Sequence, residues 1–117
     1  MKMDMDLIRE LLTEISEERV ETLDVEDARI FYHLEMLAQK KFTEGIYLER
    51  SVDGFLSVGL NAPRLTYDGN EFVGTTRPKK AWENIKKFVS DKGAGLTIDA
   101  IKIAAPIVLT GMLGSSK

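Results

Sequence analysis

The chain has 117 residues, 44% of them hydrophobic and 30% charged, with no cysteine and one histidine. That length is one domain's worth of protein, and the balance excludes both a disordered tail and a membrane protein. The absent cysteines exclude disulfides, thiol catalysis, Cys-ligated zinc and iron–sulfur clusters, and a single imidazole excludes any site built from two. The net charge of −3 is unevenly spread. Met1 to Asp27 holds ten acids and three bases, a net of −7, and the remainder is +4. Such asymmetry marks a solvated face or, less commonly, a surface for an anionic partner. The acidic, amphipathic beginning lacks the basic start and apolar run of a secretory signal, so the expected location is the cytoplasm.

The first helix announces itself by Leu7, Ile8, Leu11, Leu12 and Ile15, one apolar stripe at helical period, with Asp4 as its N-cap. Asp24 is the expected cap of a second helix, with Asp27 in a capping-box-like position. That helix should bury Ile30, Phe31, Leu34, Leu37 and Ala38, and present Arg29, Tyr32, Met36, Gln39 and Lys40. Ile46 to Arg50 reads as a strand, Asp53-Gly54 as a turn, and Phe55 to Leu60 as the returning strand. Asn61-Ala62-Pro63 breaks the run, and Arg64-Leu65-Thr66 resumes it. Thr66 can cap a short helix from Tyr67 to about Gly74, in which Gly69 permits close approach to the strand beneath.

Pro78 suits the first turn of a further helix, with Ala81, Trp82, Ile85, Phe88 and Val89 inside and Lys79, Lys80, Lys86 and Lys87 outside. Gly93-Ala94-Gly95 is hinge-like and divides the expected organisation into 1–92 and 93–117. The last helix, from about Thr97, is apolar on two sides. Ile98, Ile101, Ala105, Val108, Leu109 and Met112 form one face, and Ile103 and Ile107 lie opposite. Its uncharged stretch is too short for a membrane span. Docking on its own domain and on a partner, such as a second copy, is the expected arrangement.

No catalytic, cofactor or metal constellation appears. The lone His33 has no nucleophile–acid pair around it, adjacent acids such as Glu17-Glu18 diverge on a helix, and the Gly93 segment lacks the preceding strand and third glycine of a dinucleotide fold. The expected protein is therefore not an enzyme and takes no cofactor, small-molecule substrate or membrane.

Two segments are more specific. The run from Ala28 to Phe42, with its His33-Leu34 and Leu37, resembles a winged-helix recognition helix, and Arg64 to Phe72 resembles the wing-to-helix junction of that class. With Met3–Arg9, Trp82 and its Lys-rich helix, and Gly95–Thr97, nearly the whole chain resembles a family of small phage and prophage proteins known as a domain of unknown function. The resemblance implies an α+β fold: a winged-helix-like core, a small antiparallel β wing and two extra C-terminal helices.

The family supplies a phage or mobile-element setting and no activity, and the winged-helix likeness favours a nucleic-acid-binding or regulatory module with DNA as a partner. The contacts would come from Arg29, Tyr32, His33 and Lys40 on the recognition helix, Arg50 and Arg64 near the wing, and Lys79, Lys80, Lys86 and Lys87 on the phosphates. Two departures favour a protein partner or a homodimer instead, met through Tyr32 and Met36 or through Ile103 and Ile107. Arg19 to Asp24 leaves no room for a full bracing helix, and the segment Glu26–Lys41 carries three acids and three bases.

Overall fold

The computed structural model describes residues 2–115. They form an α+β arrangement of five α-helices and one two-stranded antiparallel sheet. The chain divides into two compact units, Met1–Asn70 and Glu71–Lys117. The sequence places this boundary at the glycines near 93; the contacts place it within a short helix, because the Lys-rich helix packs on the last one.

In the first unit, α1 (Met5–Ser16) is capped by Asp4, whose carboxylate accepts from the Asp6 and Leu7 amides at 2.9 and 3.2 Å. Its whole expected stripe is buried, together with Met5. Glu18 ends the helix in the left-handed region at φ 60°, and Val20–Thr22 follows as a single 3₁₀ turn. The segment before α2 is thus no bracing helix.

α2 (Ala28–Gln39) is capped by Asp27 rather than Asp24, since it is the Asp27 carboxylate that accepts from the Arg29 and Ile30 amides. Phe31, His33, Leu34 and Leu37 are buried. Ile30 is half-buried and Ala38 exposed, both less covered than their place on the stripe suggests.

β1 (Thr43–Arg50) and β2 (Leu56–Leu65) pair from Arg50↔Leu56 to Ile46↔Leu60, then resume at Glu44↔Arg64. The apparent break at Asn61–Pro63 is therefore a bulge within one strand, three residues opposite Gly45. Ala62 turns to φ 49° and Gly45 to φ 78°, and a Cβ on Gly45 would lie 2.2 Å from the Asn61 carbonyl oxygen. Ile46 is buried on the inner face of the hairpin, where Leu48, Leu56 and Val58 are half-covered. α2 packs on β1, and α1 on β2 and α2.

α3 (Tyr67–Thr76) starts where expected. Thr66 Oγ1 accepts from the Gly69 amide and donates to the Lys41 carbonyl, and the Thr66 amide donates to the Phe42 carbonyl. A Cβ on Gly69 would sit 2.2 Å from that same Phe42 oxygen, so the close approach demands glycine.

In the second unit, α4 (Lys79–Asp91) follows Pro78 at its N-cap and buries Ala81, Trp82, Ile85 and Val89. α5 (Ile98–Ser115) buries Ile98, Ile101, Ala104 and Ala105 and carries Pro106 within it. Thr97 Oγ1 accepts from the Ala100 amide at its start. Among the described residues no helix is long and apolar enough to cross a membrane.

Candidate interaction surface

Most of the residues expected to face a partner from the first unit turn inward or toward carboxylates of the same unit. His33 is fully buried. Its Nε2 accepts from the Asp4 amide at 2.8 Å, and its Nδ1, the protonated nitrogen in that tautomer, donates to the Arg29 carbonyl at 2.7 Å. An imidazole so engaged has no edge to offer a base or phosphate, and the role of nucleic-acid contact gives way to a structural one. Asp4 completes the cluster: one carboxylate oxygen caps α1, and the other pairs with the Arg29 guanidinium.

Arg50 reaches from β1 to Glu35 on α2 in a two-point contact at 2.6 and 3.0 Å, and its guanidinium lies 4.9 Å from the centre of the Phe31 ring. The hydrogen bonds it donates to Glu35 hold the Arg50 proton more firmly than usual. Arg64 donates to Glu44 at 2.7 Å and to the Ala62 carbonyl at 2.9 Å, bracing the bulge. Three of the expected nucleic-acid contacts, Arg29, Arg50 and Arg64, are thus held by carboxylates of the same unit. Lys40 is exposed.

Tyr32 and Met36 are half-buried rather than an open stripe, with the Tyr32 ring edge-on to His33 at 5.2 Å. The exposed apolar side chains of this unit lie elsewhere: Tyr47 on the outer hairpin face, Val52 and Phe55 at its tip, Leu60 on β2 beside the bulge, and Tyr67 at the start of α3. Sequence reading missed them because strand alternation points Tyr47 outward only once the inner face is known. Two surface hollows, of about 330 and 400 Å³, are rimmed by carboxylates. Glu26 and Asp53 line one, and Glu18 and Glu21 line the other together with Arg64. Hydrogen bonds from the Ser51 hydroxyl and the Phe55 amide hold the Asp53 carboxyl below the usual carboxylate range.

The second unit differs. Lys79, Lys80 and Lys87 are exposed on α4, while Lys86 lies 5.5 Å from the centre of the Trp82 ring. On α5, Ile103 and Ile107 are exposed as expected, joined by Leu113. Among the described residues no group of three or more His, Asp or Glu side chains is placed to hold a metal ion.

A family profile described as "Hypothetical protein (DUF2513)" matches residues 2–95. An "Uncharacterized protein" of Haemophilus influenzae is 28% identical over 121 aligned residues, covering 97% of this chain and 99% of its own length. No solved structure matches.

Proposed function

The chain belongs to the DUF2513 family, and from the surface its fold presents we propose that it is a non-enzymatic, cytoplasmic protein-interaction module on a winged-helix-like scaffold. The order helix, single turn, helix, hairpin supports the scaffold. The phage or prophage setting suggested by the sequence resemblance is part of the reading.

The observation that carries it is the spent charge of the first unit. Met1–Asn70 holds fifteen acids and eight bases, a net of −7. The arginines of α2 and the hairpin stand beside Asp4, Glu35 and Glu44. Exposed ion pairs are weak and open readily. Opening one frees an arginine and leaves its carboxylate beside the incoming phosphate, so the gain in phosphate neutralisation is small. A partner protein loses nothing by this arrangement, and the hollow lined by Glu26 and Asp53 suits one with basic side chains.

The second reading, nucleic-acid contact, is favoured by α4 alone, where the exposed lysines lie in a unit of net +4. Fluorescence anisotropy of a labelled random duplex separates the two. The expected result is no saturable binding near physiological salt. Any low-salt binding should be lost in K79E/K80E and kept in R29A/R50A/R64A. Loss of binding in the arginine variant would overturn the proposal.

A further inference from the structure

We infer that the exposed face of α5 is a docking surface for a second copy of this chain, packed antiparallel about a two-fold axis near Val108. The inference rests on the protein-interaction reading and names its partner.

α5 lies beyond residues 2–95, the part matched by the family profile, and Ile103 and Leu113 are 70% and 72% exposed on it. With Asp99, Pro106 and Thr110, also exposed, they stand at intervals of four, three, four and three residues, the spacing of a seam between two helices. The inner four, Ile103, Pro106, Thr110 and Leu113, are spaced three, four, three, which reads the same backwards. An antiparallel copy therefore sets Ile103 opposite Leu113 and Pro106 opposite Thr110, twice over. That is the requirement of an isologous contact, in which one patch meets itself.

Chemistry agrees with spacing. From Ile103 to Gly114 the helix carries no charge, so the inner four positions desolvate none, and the charged Asp99 and Lys102 lie toward the margin of the contact. Ile107 flanks the seam at 52% exposure, and open space surrounds Gly111 and Gly114, where a second helix can approach closely. The seam from Ile103 to Leu113 is about 16 Å of a helix of 18 residues, which places the contact among the small, weak interfaces. The expected dimer is modest, dissociating in the micromolar range.

The test is sedimentation equilibrium of the full chain and of two variants, I103K and L113E, with circular dichroism to confirm that each is folded. The wild type should dimerise, and each variant should weaken dimerisation at least tenfold. An equimolar mixture of the two should recover it, because the mixed dimer pairs Lys with Glu at one crossing and keeps Ile against Leu at the other. A monomeric wild type, variants that still dimerise, or a mixture that stays monomeric would each overturn the inference. Such a failure leaves the duplex titration to judge the protein-interaction reading separately.

Discussion

The two units solve the problem of surface charge in opposite ways. Met1–Asn70 carries the arginines of α2 and the hairpin beside its own carboxylates, Arg29 with Asp4, Arg50 with Glu35 and Arg64 with Glu44. Glu71–Lys117 displays lysines along α4 and bare isoleucines along α5. The difference teaches that an inventory of basic residues is a poor guide to a polyanion-binding face. What matters is whether a carboxylate stands within reach of each cation, because the field felt at a phosphate is that of the pair.

The contrast extends to what holds each unit. The first depends on special backbone and buried polar contacts, so it should break at single positions. Gly45→Ala is expected to cost most, about 3–5 kcal/mol, since it needs both φ 78° and room against the Asn61 carbonyl. Chemical denaturation would show this as a lowered midpoint at unchanged slope. His33→Ala should follow at about 2–4 kcal/mol, leaving a cavity and stranding the Asp4 amide and the Arg29 carbonyl. Hydrogen exchange should locate that loss at the start of α1.

Sequence pattern showed the apolar stripes, the Asp53-Gly54 turn, the Thr66 cap and the need for Gly69, because each is a local matter of period or dihedral angle. It did not show the ion pairs. Asp4 and Arg29 are 25 residues apart, Glu44 and Arg64 20, and Glu35 and Arg50 15. Only the fold brings them together. Asp24 and Asp27 both looked like caps, and the choice depended on where the backbone turned helical. The Asn61–Pro63 break hid a bulge, because Pro63 reads as an interruption whether or not the strand continues beyond it.

Smaller effects sharpen the contrast. Glu18 and Lys41 close α1 and α2 in the left-handed region that glycine adopts freely. Glu18→Gly and Lys41→Gly should each stabilise the fold by about 0.5–1 kcal/mol in thermal unfolding. The least effect is expected at the hairpin tip. The Asp53 carboxyl is held below its ordinary range, so its contribution is full above the unfolded value of about 3.9 and is lost as pH falls through the folded one. The Phe55 amide resonance should therefore shift only below about pH 4. A shift at neutral pH would show that Asp53 does not hold it.

The claim that Arg29, Arg50 and Arg64 are spent on their carboxylates is tested most directly by titrating a short DNA duplex into the ¹⁵N-labelled protein at low salt. Shifts confined to α4, or no shifts, are the expected outcome. Shifts concentrated in Ala28–Gln39 and Thr43–Leu65 would mean that phosphates displace the carboxylates from Arg29, Arg50 and Arg64, and would contradict it.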